Sequence, residues 1–177
     1  WGGGQLLLST CYQYEPVPQG VDPAYILGGQ GNLWTENVPN PRHAEYMTWP
    51  RALALSEVFW SPKAEKNWDD FTRRMTSQFA YLDHDHVNYA TSAFDPRVSA
   101  ATGPDDSLMV ALSTEVPALK LYYSFDGTTT DPYYPAYDVT PLRIPEVASE
   151  IRVVSYQGGR QVAQQMNYPL SRLNPKP

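Results

Sequence analysis

An aromatic ring and a carboxylate lie two positions apart in the segment that ends the glycine-containing run at residues 28–36. The ring is Trp34 and the acid is Glu36, and both follow the apolar stretch 25–27. In an extended backbone, residues i and i+2 point to the same face, so we expect both side chains to address one ligand. An indole offers an apolar plane to the C–H face of a pyranose, and a carboxylate accepts hydrogen bonds from hydroxyls. The pair indicates sugar binding, and the alternative is a packing tryptophan beside a surface glutamate.

The elements around this pair are predicted from apolar periodicity and local capping signals. Residues 6–9 and 25–27 are short apolar runs and are predicted as buried strands. Asn40 is expected to cap a helix that is interrupted or kinked at Pro50. A second helix is predicted from residue 67 to residue 82, because apolar side chains recur there every three or four positions.

The second half of the chain has a different pattern. Residues 95–106 are small, polar and proline-bearing, and they are predicted as a linker. Beyond them, short strand-like runs alternate with turn residues such as Asp126 and Gly127. This alternation predicts a small antiparallel β-sandwich over residues 107–177, after a first domain at residues 1–94.

Composition excludes several classes of partner. The chain has 177 residues and a formal net charge of −6 without a basic cluster, so nucleic acids and anionic membranes are not expected partners. It contains neither a long apolar run nor a signal peptide, and no membrane insertion is expected. The single cysteine, Cys11, excludes an internal disulfide.

Two stretches of the chain resemble segments of one enzyme family. The pattern G-G-x-x-x-L-W-T-E at residues 28–36 is followed by E-Y-M-x-x-P-R-x-x-A-L-x-E-x-x-W-S-P at residues 45–62. Together they resemble the end of the catalytic barrel in β-N-acetylhexosaminidases of glycoside hydrolase family twenty. Residues 121–129, with Tyr137 and the strand-like run at 151–156, resemble the carboxy-terminal fibronectin-like domain often attached to these enzymes.

The resemblance implies a fold of the α/β class joined to an all-β domain. The first domain is expected to hold the last βα units of a TIM (β/α)8 barrel, followed by the linker and the small antiparallel β-sandwich. A complete barrel needs about 250 residues, so the rest of the parent barrel is an expected partner of this chain.

The resemblance also implies a reaction in which the substrate supplies its own nucleophile. Family members use the 2-acetamido carbonyl of the sugar to attack its anomeric carbon, while a glutamic acid protonates the leaving oxygen and the preceding aspartate orients the acetamido group. None of the nineteen acidic residues forms an Asp-Glu pair. We therefore expect no catalytic residue in this chain and no turnover by the chain alone.

Ligand contacts follow from the resemblance residue by residue. Trp34 corresponds to the tryptophan that walls the sugar pocket, and Glu36 to the glutamate that binds the O4 and O6 hydroxyls of the terminal sugar. A family tyrosine that bonds the acetamido carbonyl corresponds to Tyr12 or Tyr14; Tyr14 is favoured because an acid follows it. The alternative for either tyrosine is a loop residue without a ligand role.

Several charged positions of the pattern are predicted to be structural. Glu45, Arg51 and Glu57 lie on the predicted helix, where ion pairs or capping are expected rather than substrate contact. His84 and His86 end the second predicted helix, where residues i and i+2 diverge, and no metal site is predicted there. No cofactor is expected.

Two functions remain open from sequence. The first is a part of a retaining exo-β-N-acetylhexosaminidase that removes terminal GlcNAc or GalNAc from glycans, with an extracytoplasmic location implied by the family. The second is a non-catalytic module in which the β-sandwich binds carbohydrate or a partner. Its candidate platform consists of five tyrosines: Tyr122, Tyr123, Tyr133, Tyr134 and Tyr137.

Overall fold

The chain divides into two compact units between Ala90 and Thr91. The computed structural model describes residues 6–103, 105 and 107–173. The predicted domains and linker extend to residues 1–5, 104, 106 and 174–177, and these parts of the prediction lie outside the described residues. The two units are called unit 1 (residues 1–90) and unit 2 (residues 91–177).

Unit 1 is helical. Its first helix is short, and three longer helices follow residues 28–36, the segment that contains Trp34 and Glu36. Single 3-10 turns occur at Pro23–Tyr25, Thr35–Asn37 and Lys63–Glu65. The helices are α1 (Leu8–Tyr12), α2 (Pro41–Thr48), α3 (Arg51–Trp60) and α4 (Trp68–His84).

Local capping signals account for the helix boundaries. The Asn40 side chain accepts a hydrogen bond from the backbone N–H of His43, and Asn67 does the same for Asp70. Between α2 and α3, the residue before Pro50 is extended, as expected before a proline. The predicted cap at Asn40, the interruption at Pro50 and the second helix are therefore confirmed.

The core of unit 1 lies among α1, α3 and α4. α1 contributes residues at helical spacing, and α3 and α4 each contribute an inward face. Because these faces bury apolar side chains, packing holds the short α1 in place. The buried residues are Leu8, Cys11 and Tyr12 of α1, Ala54 and Val58 of α3, and Phe71, Met75 and Phe79 of α4.

The two strands predicted in unit 1 are wrong. The run at 6–9 ends in the first two residues of α1, and the run at 25–27 begins with the last residue of the 3-10 turn and continues to the fully exposed Leu27. A parallel barrel strand takes its hydrogen bonds from strands on both sides. The described part of unit 1 contains no strand to supply them, so these segments form local turns instead.

Unit 2 consists of two antiparallel sheets. The strands are β1 (Arg97–Thr102), β2 (Leu108–Ser113), β3 (Lys120–Ser124), β4 (Leu142–Arg143), β5 (Glu150–Gln157), β6 (Arg160–Gln161) and β7 (Met166–Pro169). One sheet has the order β1-β2-β4; in the other, β5 pairs with β3 and also with β6 and β7. The predicted strand-like runs are confirmed as strands at β2, β3 and β5, whereas the run predicted at residues 161–163 is a strand only at its first residue.

Both sheets contribute to a single hydrophobic cluster. Val110 and Leu112 of β2 meet Leu121 of β3 and Ile151 and Val153 of β5. Inward side chains alternate along these strands, as they do where one face of a sheet is buried. This cluster is the core of unit 2.

The predicted linker is wrong at residues 97–102, which form β1. This strand pairs with β2 in register from Arg97 opposite Ser113 to Thr102 opposite Leu108. Its small polar residues give little apolar signal, but Val98 packs against the core cluster. Strand pairing to a distant segment therefore outweighs the local linker-like composition.

Neither unit contains, within its described residues, a helix with the length and apolar character needed to cross a bilayer.

Candidate functional site

Trp34 and Glu36 lie at the start of the 3-10 turn Thr35–Asn37. Trp34 is extended, with φ −78° and ψ 125°, and its side chain is 65% exposed. Glu36 lies inside the turn and is also exposed. Residues i and i+2 share a face only in an extended run, so that argument for the pair is wrong here. Both side chains are nevertheless exposed, so a ligand could contact both of them.

The glycine loop before Trp34 lies directly against α3. A Cβ at Gly29 would come within 2.3 Å of Cε1 of Phe59, and one at Gly31 within 2.7 Å of Cδ1 of Leu55. Leu55 and Phe59 are one helical turn apart and so form one face of α3. Only residues without a side chain allow the backbone this close, and this contact fixes the approach to Trp34.

Tyr14 shares the same Phe59 ring. The two ring centroids are 6.2 Å apart at 88°, an edge-to-face contact, and Tyr14 is 52% exposed. Phe59 therefore contacts both the Tyr14 segment and the glycine loop that leads to Trp34. The structure brings these two predicted ligand-binding segments together on α3.

Tyr12 has a different environment and is not suited to ligand contact. Only 5% of the residue is exposed, and its ring stacks on Phe71 at a centroid distance of 4.7 Å. Its hydroxyl donates to Oε1 of Glu57 at 2.8 Å. The candidacy of Tyr12 is therefore wrong. The spacing of Leu8, Cys11 and Tyr12 at i, i+3 and i+4 is the sequence signal that indicates its burial.

Burial and the Glu57 carboxylate together change the acidity of Tyr12. Loss of solvent raises the pKa of Tyr12 to about 12, and the hydrogen bond to Glu57 and its negative charge act in the same direction. The tyrosine is consequently a neutral hydrogen-bond donor to a carboxylate throughout the neutral range.

The charged residues predicted to be structural have structural partners. Glu57 forms an ion pair with Arg74 through Oε2, while Arg74 also bonds Asp70 at 2.7 Å. Glu45 accepts the backbone N–H of Asn88 at 2.8 Å. The prediction of ion pairs and capping at Glu45 and Glu57 is confirmed.

Arg51, the third of these residues, bonds main-chain carbonyls. Its Nε donates to the carbonyl of Leu6 at 3.1 Å, which connects α3 to the residues before α1. Such guanidinium contacts satisfy backbone oxygens near a helix end. The structural role predicted for Arg51 is confirmed.

Metal-ligand residues do not converge in the described ranges. The His84 ring bonds the adjacent Asp85 carboxylate at 2.8 Å. In residues 6–103, 105 and 107–173, no group of three or more His, Cys, Asp or Glu side chains is placed to hold a metal ion.

Unit 2 contains a surface groove of about 320 Å³. At one side, the Tyr134 hydroxyl donates to Oδ2 of Asp126 at 3.2 Å and also contacts the Thr128 hydroxyl. Hydrogen bonds from Thr128 hold the pKa of Asp126 below its usual range, so this carboxylate is ionised at neutral pH. The groove is lined by Tyr123, Ser124, Phe125, Asp126, Tyr134, Pro135, Pro145, Val147 and Ala148.

One family model matches the part of unit 1 that contains the candidate site. The family model described as glycosyl hydrolase family 20, catalytic domain, matches residues 5–63. That range includes Tyr14, the glycine loop, Trp34, Glu36 and all of α3.

Three curated relatives are similar to parts of the chain. A beta-hexosaminidase of Porphyromonas gingivalis is 31% identical over 81% of this chain and 18% of its own length. A beta-hexosaminidase of Akkermansia muciniphila is 30% identical over 42% of this chain and 16% of its own length. A beta-N-acetylhexosaminidase of Cellulomonas fimi is 31% identical over 45% of this chain and 16% of its own length. The chain spans less than a fifth of the length of these relatives.

Proposed function

The chain belongs to glycosyl hydrolase family 20 through residues 5–63, and from this premise we propose that it is part of an exo-acting β-N-acetylhexosaminidase. The substrates are glycans that end in N-acetylglucosamine or N-acetylgalactosamine. The observation that carries the proposal is the position of Tyr14 and the Trp34 loop on one ring, that of Phe59, within the matched range.

The proposed reaction retains configuration at the anomeric carbon. The oxygen of the 2-acetamido carbonyl bonds to C1 while the glycosidic C–O bond breaks, and a glutamic acid donates its proton to the leaving oxygen. Water then opens the oxazolinium intermediate and returns a proton to that carboxylate. The Asp-Glu pair for these steps is not in the 177 residues, and we assign it to another part of the protein.

Each exposed side chain of the candidate site has a proposed contact. The Trp34 indole packs against the apolar face of the terminal sugar, and Glu36 accepts hydrogen bonds from its O4 and O6 hydroxyls. The Tyr14 hydroxyl donates to the acetamido carbonyl and holds it in position for attack. The exposure of all three side chains supports these assignments.

We propose further that unit 1 is the end of a TIM barrel and that unit 2 is the fibronectin-like β-sandwich. The apolar side chains of Tyr25 and Leu27 are exposed in this chain, and this supports the first assignment. In a complete barrel the strands are covered on both faces, so the remaining barrel units would cover such side chains. The shared core of the two antiparallel sheets supports the second.

Kinetics of the full-length protein test the proposed activity. We expect the full-length protein to hydrolyse an aryl N-acetylglucosaminide. We expect Trp34→Ala to lower kcat/KM roughly 30- to 900-fold, which corresponds to a loss of about 2–4 kcal/mol of transition-state stabilisation. Tyr81→Ala is the matched control, because Tyr81 is an exposed aromatic residue on α4. Unchanged kinetics for Trp34→Ala would remove its assigned role, and absence of hydrolysis by the unaltered protein would contradict the function.

A second candidate function is carbohydrate binding by unit 2 without catalysis. The groove combines the aromatic rings of Tyr123, Phe125 and Tyr134 with the ionised Asp126, which suits a neutral ligand that donates hydroxyl hydrogen bonds. Calorimetric titration of the 177-residue chain with an N-acetylglucosamine tetramer tests this function. Binding that Tyr134→Ala abolishes and Tyr133→Ala preserves would support it, since Tyr133 is exposed and outside the groove lining; no heat of binding would contradict it.

A further inference from the structure

The exposed Tyr14 lies between two anchored positions of the same segment. On one side, the backbone carbonyl of Tyr12 accepts from Nζ of Lys66 at 3.4 Å. On the other side, Glu15 forms an ion pair with Lys63 at 2.6 Å, which holds the pKa of Glu15 below its usual range. The short segment therefore has little freedom to reorient the side chain that it presents.

The Glu57 carboxylate connects the buried end of this segment to two helices. Its Oε1 accepts the Tyr12 hydroxyl at 2.8 Å, and its Oε2 pairs with Arg74 of α4. The Glu57 side chain is only 10% exposed, so its bond to Tyr12 is largely shielded from water, whereas the Arg74 side chain is half-exposed. A hydroxyl bonded to a carboxylate is also a stronger contact than one between neutral groups.

The same turn of α3 reaches the other side of Tyr14. Phe59 follows Glu57 by two residues, contacts the edge of the Tyr14 ring and lies under Gly29. Tyr12 bonds Glu57, and Tyr14 packs on Phe59, so the two tyrosines are held by two side chains of α3 that lie on different faces of the helix. Because one residue separates the two tyrosines in sequence, a shift of Tyr12 also shifts Tyr14 relative to Phe59.

We propose that Tyr12 and Glu57 are positioning residues, which hold Tyr14 in the direction needed to contact the 2-acetamido group of the substrate. This inference rests on the proposed function, because that function gives Tyr14 its ligand. Neither Tyr12 nor Glu57 touches the sugar. Their effect on the reaction passes through Tyr14, and this distinguishes them from residues that only stabilise the fold.

The test is a double-mutant cycle in the full-length protein with an aryl N-acetylglucosaminide. Tyr14→Phe is expected to lower kcat, and Tyr12→Phe to lower kcat by roughly tenfold with KM little changed, because a small misplacement reduces rate more than binding. If Tyr12 acts through Tyr14, adding Tyr12→Phe to Tyr14→Phe produces no further loss. Multiplied losses in the double variant would overturn the inference.

Two further variants separate positioning from loss of folding. Glu57→Gln keeps an oxygen that accepts from Tyr12 and is expected to retain more activity than Glu57→Ala, with thermal unfolding midpoints recorded for both. Tyr81→Phe, on the exposed part of α4, is the matched control and should keep full activity. Equal activity of Glu57→Gln and Glu57→Ala would overturn the role of Glu57.

The outcomes also distinguish this inference from the proposed function. Normal kinetics of Tyr14→Phe in a protein that hydrolyses the substrate would overturn the positioning role and leave the hydrolase activity standing. An unaltered full-length protein that fails to hydrolyse the substrate would overturn both.

Discussion

Tyr12 and Tyr14 show how two identical side chains two positions apart acquire different roles. Tyr12 is directed into the core by the helical spacing of α1, whereas Tyr14 follows the helix end and is exposed on the edge of Phe59. The acid after Tyr14, used to choose between them, is paired with Lys63 and helps to anchor the segment. At the scale of the residue, burial of Tyr12 leaves Tyr14 as the tyrosine of this segment that a ligand could reach.

The buried Tyr12 makes stability depend on pH at the alkaline end. Its pKa is raised from 10.0 to about 12 in the folded protein, so the unfolded chain loses this proton first as the pH rises. The contribution of Tyr12 is complete below pH 10 and is lost between pH 10 and about 12. At pH 11 the linkage relation gives a loss of about 1–2 kcal/mol relative to neutral pH.

Denaturant unfolding of the chain and of Tyr12→Phe at pH 9 and pH 11 measures this contribution. The difference in unfolding free energy between the two proteins should shrink by about 1–2 kcal/mol from the lower to the higher pH. A difference that stays constant between these pH values would show that Tyr12 titrates normally.

At the scale of the element, the glycine loop and α3 act as one support for the site. Gly29 and Gly31 allow the backbone to lie against Phe59 and Leu55. This contact determines the position of Trp34 at the end of the loop. Neither glycine has a positive φ, so backbone conformation does not require glycine at these positions. Glycine is needed there because a side chain would collide with α3.

Filling that space is expected to displace the loop. Gly29→Ala places a Cβ 2.3 Å from Cε1 of Phe59, which cannot be relieved without moving the ring or the backbone. We expect a loss of about 1–3 kcal/mol in unfolding free energy and a fall in kcat/KM of the full-length protein. The double variant Gly29→Ala/Phe59→Leu removes the ring and should recover part of the stability. Full stability of Gly29→Ala alone would contradict the close contact.

Local signals allowed α2, α3 and α4 to be predicted, and long-range pairing explains why residues 25–27 and β1 were not. The caps at Asn40 and Asn67 and the break at Pro50 act within one turn, so the chain around them needs no distant partner. The apolar run at 25–27 needs neighbouring strands before it becomes one, and β1 becomes a strand only because β2 is present to pair with it. At the candidate site, Trp34 and Glu36 are exposed and their ligand role stays a prediction, while the 3-10 turn at Glu36 had no clear sequence signal.

At the scale of the whole molecule, the chain matches only a small share of each relative's length. It spans 18% of the Porphyromonas gingivalis relative and 16% of two others. Several large apolar side chains of unit 1 are exposed, Tyr25, Leu27 and Trp34 among them. If the rest of a barrel covers part of this surface, the isolated chain presents apolar area that the full-length protein does not.

This difference predicts that the isolated chain binds a hydrophobic dye and self-associates. We expect 8-anilinonaphthalene-1-sulfonate fluorescence and light scattering to fall in the variant Tyr25→Ser/Leu27→Ser, because it removes exposed apolar area from unit 1. Val139→Ser is the control, since Val139 is an exposed apolar residue of unit 2. A monomeric chain with no dye binding would show that these side chains need no cover.

The most direct measurement of the central claim compares two substrates in the full-length protein. An aryl N-acetylglucosaminide and its 4,6-dideoxy analogue differ only in the two hydroxyls assigned to Glu36. We predict that Glu36→Gln lowers kcat/KM for the first substrate by a factor that corresponds to about 2–4 kcal/mol of transition-state stabilisation, and that it has a much smaller effect on the second, because both contacts are already absent there. Equal losses on both substrates, or none on either, would contradict the assignment of this site to the terminal sugar.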